Sequence, residues 1–76
     1  MAQPTYSLRA LVLRRTKLGE SDLILTLLSE DGSQKRAVAK GARRPKSSFA
    51  ARTEPFCVID ALCATGRSLD ILKEAR

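Results

Sequence analysis

The chain breakers limit the fold more than any other feature. Gly19, Asp31-Gly32, Gly41, Pro45, Pro55 and Gly66 cut the sequence into apolar runs of strand length. Residues 8–15 (LRALVLRR) form a short apolar block bounded by arginines, read as a strand buried on both faces. Residues 21–29 (SDLILTLLS) are a second run, and 35–40 (KRAVAK) a third that ends at Gly41. Between these two, Glu30-Asp31-Gly32-Ser33 supplies the left-handed residue a tight hairpin needs. Residues 56–65 (FCVIDALCAT) and 69–73 (LDILK) read as the fourth and fifth strands, joined through Gly66-Arg67.

Helix is the competing reading for residues 56–64 and 69–76, where Leu, Ala, Lys and Glu are good helix formers. The Val58-Ile59 pair and the closeness of Gly66 favour strands. The longest connection, residues 43–55 (RRPKSSFAARTEP), carries two prolines that bar a central strand. Residues 45–52 have room for one or two helical turns. Five strands in 76 residues, with one longer connection after the third, is the ordering of a small all-β OB-type barrel.

That length allows one domain over residues 1–76. A chain this short buries only about 60% of the surface its unfolded form exposes. With Tyr6, Phe49 and Phe56 the only aromatics, the core must be aliphatic. Cys57 and Cys63 are six residues apart with no histidine in the chain, so a zinc set is lacking. On one strand they would lie about 20 Å apart, too far for a direct bridge. They read as small apolar residues of a reducing compartment. The N-terminus lacks the charged and apolar regions of a secretory signal, and no apolar run approaches membrane-spanning length. The expected location is the cytoplasm.

Charge is distributed unevenly. The net charge is +6, from 14 basic and 8 acidic residues. Lys35, Arg36, Lys40, Arg43, Arg44, Lys46 and Arg52 occur in a stretch with no acid, and the rest of the chain is nearly neutral. A local basic cluster points to a polyanion, most often nucleic acid; the alternative is a solvated loop that only aids solubility. Enzymatic readings fail: there is no histidine, and the acids make no convincing pair. Residues 41–47 superficially resemble a phosphate loop but lack the second glycine before the lysine and a long helix after it.

Binding is what remains. On a strand at residues 35–41, Arg36, Val38 and Lys40 share one face, while Ala37 and Ala39 suit a tightly curved interior. Small OB barrels commonly bind nucleic acid on the face of the second and third strands. Arg43 and Arg44 have the geometry to grip phosphates bidentately, with Lys46 as a point charge. Phe49 is a candidate for base stacking or, more simply, a plug pinning the connection to the barrel. Arg14, Arg15 and Lys17 form a second basic group whose relation to the first depends on the fold. With so few aromatics, binding should be mainly electrostatic, weakly sequence-selective and salt-dependent.

Residues 10–42, with LGESD at 18–22 and AKGARRPKS at 39–47, followed by EPF at 54–56, resemble the N-terminal domain of the RecO family of bacterial recombination mediators. The resemblance covers roughly residues 6–75. It implies an OB-fold domain that binds single- and double-stranded DNA, supports strand annealing in the RecF pathway, and helps load recombinase. It implies RecR and single-strand binding protein as partners. Carried over by position, Lys40, Arg43, Arg44 and Lys46 match the family's basic DNA-binding motif. Family members have a helical second domain, often with a zinc site. The chain is therefore expected to be an N-terminal piece, with no cofactor of its own. Contact with the single-strand binding protein is expected to lie in the missing part, and the location near the nucleoid. Two rivals stay open: a docking module whose basic loop contacts RecR, and an RNA- or ribosome-associated OB domain.

Overall fold

The computed structural model describes residues 4–76 and contains five strands and no helix among them. Strand β1 (Thr5–Leu18) takes in the block at 8–15 and runs past both its ends. Its polar ends are recruited because both edges have partners. Residues 5–11 pair with β4 (Val58–Ala64), and residues 10–18 pair with β2 (Asp22–Ser29), both antiparallel. β1 is not buried on both faces: Ala10 and Val12 reach the interior, while Leu11 and Leu13 are only half-buried. Among the described residues no second layer covers the outside of the sheet, so only alternate residues are enclosed.

β2 turns back through Asp31-Gly32 into β3 (Gln34–Ala39). Gly32 holds the left-handed φ of +86°, and the Asp31 carboxylate accepts from the Ser33 amide at 2.9 Å and hydroxyl at 2.6 Å. β4 leads through Gly66 into β5 (Asp70–Ala75). A side chain at Gly66 would place its Cβ 2.0 Å from the Leu69 carbonyl oxygen, so this turn admits only glycine. β5 then pairs in parallel with β3 at Ala37–Asp70 and Val38–Ile71, closing a barrel in the order β1-β2-β3-β5-β4. This is the five-stranded all-β architecture of an OB-fold. The two C-terminal runs are strands, because each supplies backbone partners that close the barrel.

The interior follows from strict alternation. Leu23, Leu25 and Leu27 of β2 point inward, facing small residues that include Ala37, Ala39, Ala61 and Cys63. Alanine on two strands allows tight curvature, and the leucines fill the space this leaves. Cys57 packs against the core, and both thiols are free; burial pushes that of Cys63 up from its usual pKa. The connection from β3 to β4 makes turns rather than a helix. Its one i-to-i+4 bond runs from the Thr53 amide to the Phe49 carbonyl at 3.0 Å, and the fully buried Thr53 hydroxyl donates to the same oxygen at 2.7 Å.

At the mouth of the barrel near the start of β1, the Tyr6 hydroxyl donates to the Asp70 carboxylate, and the Gly66 amide donates to the other carboxylate oxygen at 3.0 Å. The Lys35 ammonium lies 5.7 Å from the centre of the Tyr6 ring. The Tyr6 bond, with help from the Gly66 amide, holds the Asp70 carboxyl below its usual pKa. Burial, and then the bond to Asp70, raise that of Tyr6. Tyr6→Phe is expected to cost about 1 kcal/mol at neutral pH. A lowered folded pKa stabilises the fold above the unfolded value of about 3.9 and loses that contribution on acidification. The deficit of the variant should therefore shrink as pH falls through this range. Chemical denaturation at several pH values checks this; a deficit that stays constant to pH 3 would sink the idea.

Candidate nucleic-acid interface

Strand register decides which cations meet. Arg14 pairs with Thr26, and Thr26 with Arg36, so the two arginines flank a threonine in one row across β1, β2 and β3. They line an open depression of about 450 Å³ with Thr16 and Gln34. The next row is Thr16, Ile24 and Val38, continued by Ile71 on β5. Its three aliphatic residues are half-buried. Beyond it, Lys40 is exposed just past the end of β3. Arg36 and Lys40 are thus separated by about 13 Å along the course of β3, with an aliphatic strip between them.

A bulge decides which member of the other basic group faces outward. The β1 register shifts between Val12 and Arg14, which turns Arg14 outward and gives Arg15 the inward phase opposite the buried Leu25. Arg15 is half-buried and does not share the face of Arg14 and Arg36. Nothing in the sequence marks that extra residue, so the choice of Arg14 rather than Arg15 for the outer face is a product of the fold.

The basic loop is built by two segments about twenty residues apart. Gly41 takes a φ of +69°, which turns the chain away from β3, and its amide donates to the Asp22 carboxylate at 2.7 Å. The Arg43 amide donates to the Ser21 carbonyl at 2.9 Å. The Arg43 side chain then reaches the same turn: Nε donates to the Asp22 carbonyl at 3.2 Å, and Nη2 to the Gly19 carbonyl. Arg43 is therefore a brace, with much of its donor fork already occupied. Arg52 is used similarly, its Nη1 donating to the Ala75 carbonyl at 2.9 Å. Phe49 packs against the core as a plug.

Lys40, Arg44 and Lys46 are left exposed, and with Ser47, Ser48 and an edge of Phe49 they line a second depression of about 310 Å³. Among the described residues, the ion pairs are Arg9 with Asp60 at 3.0 Å and Arg76 with Glu74 at 3.6 Å. Neither involves Arg14, Arg36, Lys40, Arg44 or Lys46. Residue spacing alone did not reveal Asp22 as the anchor of the loop or Thr26 as the centre of the arginine row. Only the pairing of β2 with its neighbours places them there.

The family described as Recombination protein O N terminal matches the chain over residues 1–76. The chain belongs to this family. The DNA repair protein RecO of Bifidobacterium adolescentis is 54% identical over 72 residues, which cover 95% of this chain and 29% of that protein. The DNA repair proteins RecO of Bifidobacterium longum and Bifidobacterium animalis subsp. lactis are each 53% identical over 70 residues, covering 92% of this chain and 29% of theirs. The chain thus spans less than a third of the length of these RecO relatives.

The two motifs on which the RecO resemblance rests are one physical unit. LGESD supplies the Gly19 and Asp22 carbonyls and the Asp22 carboxylate; KGARR supplies the amide and guanidinium that meet them. Arg43→Ala removes two side-chain bonds to carbonyls, and is expected to lower stability by about 1–2 kcal/mol. Arg44→Ala, at an exposed site with no such partner, should stay within about 0.5 kcal/mol. Thermal unfolding of both variants checks the contrast. Equal melting temperatures would show that the Arg43 brace contributes nothing.

Proposed function

We propose that the outer face of β1, β2 and β3, together with the basic loop, binds single- and double-stranded DNA without sequence preference, as the DNA-binding unit of a RecO-type repair mediator. One observation carries this reading. Arg14 and Arg36 on the sheet, and Lys40, Arg44 and Lys46 on the loop, are exposed, free of acidic partners and arranged about an aliphatic strip. Cations so placed track a phosphate backbone, whereas Ile24, Val38 and Ile71 offer bases a surface that does not clamp them. No aromatic ring is centred on this face: Tyr6 points inward, Phe49 is packed against the core, and Phe56 lies beyond β1 at the start of β4.

The mechanism is charge neutralisation. A basic face brings two strands close, offsets their repulsion and leaves their bases free to pair, which suits annealing. Stacking on aromatic rings would hold each base and oppose pairing. Recombinase loading would then draw on strands delivered by the longer protein.

Titration of fluorescent single-stranded DNA at several salt concentrations tests the reading. With four or five phosphates neutralised, log Kd should change with log salt by a slope of about 3 in magnitude. Absence of binding at low salt removes DNA from this face. In that event RecR, expected from the family resemblance, becomes the occupant to test on the loop by direct titration. Much tighter binding to a matched RNA would replace DNA by RNA.

A further inference from the structure

A second surface has a different chemistry. Leu11 of β1 pairs with Leu28 of β2 on one side and Val58 of β4 on the other, all on the outside of the barrel. These three line a depression of about 260 Å³, with Arg9 and Glu30 at its rim. Val58 is 62% exposed. Two residues earlier, Phe56 is 76% exposed at a φ of +69°, its amide bonded to the Val12 carbonyl at 2.6 Å. A bulky residue in the left-handed region is sustained only when its surroundings demand it, and here the conformation displays an aromatic ring to solvent. The charges nearby leave a net negative charge, with Arg9 paired to Asp60 and Glu30 unpaired, so the surface does not favour phosphate.

We infer that this apolar row is the docking surface for the polypeptide that follows β5 in the longer RecO proteins. Register supports that occupant. Asp60 and Arg76 exchange two backbone hydrogen bonds of 2.9 Å, so β5 is still paired with β4 at Arg76. Two further residues on the same course lie opposite Val58 and next to Phe56. The relatives contain more than twice this chain's length beyond the matched region, ample to cover the row. Size supports it as well. A stable contact between separate molecules buries upwards of about 1,000 Å², whereas this row consists of only a few side chains. A tethered segment needs far less, because its effective concentration is in the millimolar range.

Hydroxyl-radical footprinting of full-length RecO carrying this domain tests the inference, with oxidation of Phe56 read by mass spectrometry. Phe56 should be oxidised at least about tenfold more slowly in the native protein than in its Val58→Glu variant. Protease cleavage after β5 should also be faster in that variant. Unchanged oxidation of the inward-facing Tyr6 confirms that the barrel is still folded. If Val58→Glu disrupts the barrel, the milder Val58→Ser serves in its place. Fast oxidation of Phe56 in the native protein, or equal rates in native and variant, overturns the inference. So does concentration-dependent self-association of the full-length protein that Val58→Glu abolishes, since a second copy would then be the occupant.

Discussion

Leu25→Ala is expected to remove about 3 kcal/mol of stability, within the 2–5 kcal/mol range of large-to-small core changes. Leu25 is completely buried at the middle of β2, between Leu23 and Leu27, in a core rich in alanine, with Ala37 beside it in register on β3. Alanines have no side-chain freedom with which to close a cavity, and the barrel's continuous hydrogen bonding resists collapse of the backbone. Both push the cost away from the low end of the range. For 76 residues the whole stability is about 4–11 kcal/mol, so this one change consumes a large share of it. The melting temperature should drop by about 12–24 °C. Leu18→Ala, at a 38% exposed position on the end of β1, should cost less than about 1 kcal/mol. Urea unfolding of the two variants gives the comparison. Similar midpoints would mean that the interior is loosely packed and the proposed core is wrong.

Replacing Arg36, Lys40 and Arg44 together by alanine is expected to weaken single-stranded DNA binding about 100-fold at 0.1 M salt. The estimate counts about 1 kcal/mol per lost phosphate contact from counterion release at that salt. The salt slope should fall from about 3 to about 1 in magnitude. Because these side chains are exposed and none of them braces the fold, the melting temperature should hardly move. Arg43→Ala gives the opposite pattern, with stability reduced and the salt slope nearly kept. Together the two variants separate a contact to phosphate from a contact that shapes the loop. If the triple variant keeps the native slope, the cations of this face do not hold the DNA.

Much of the fold was legible in the residues themselves. Turn chemistry placed the hairpin at Asp31-Gly32, and period-two alternation placed Ala37 and Ala39 inside with Arg36 and Lys40 outside. The strand count and the long connection gave the barrel. Element ends were less legible: β1 reaches Thr5 and Leu18, well past its apolar block, because hydrogen bonding to neighbours extends a strand through residues with weak preference for it. The helical turns expected at residues 45–52 reduce to one turn near Phe49 and Thr53, where docking of the Phe49 ring and the buried Thr53 hydroxyl governs the backbone.

The candidate site divides along the same line. Sequence by itself determined that positive charge is concentrated in one stretch and that Arg36 on β3 and Lys40 just past its end share the outward phase, since composition and period are local properties. Tertiary structure alone decided which cations are free. Arg43 and Arg44 are adjacent and chemically identical, yet Arg43 is bound to carbonyls of the β1–β2 turn and Arg44 faces solvent. Arg14 and Arg15 alternate across the sheet as any strand neighbours do, yet the bulged residue before them decides that Arg14, not Arg15, faces outward. The partners that make these distinctions lie far along the chain, and only the closing of the barrel brings them within hydrogen-bonding distance.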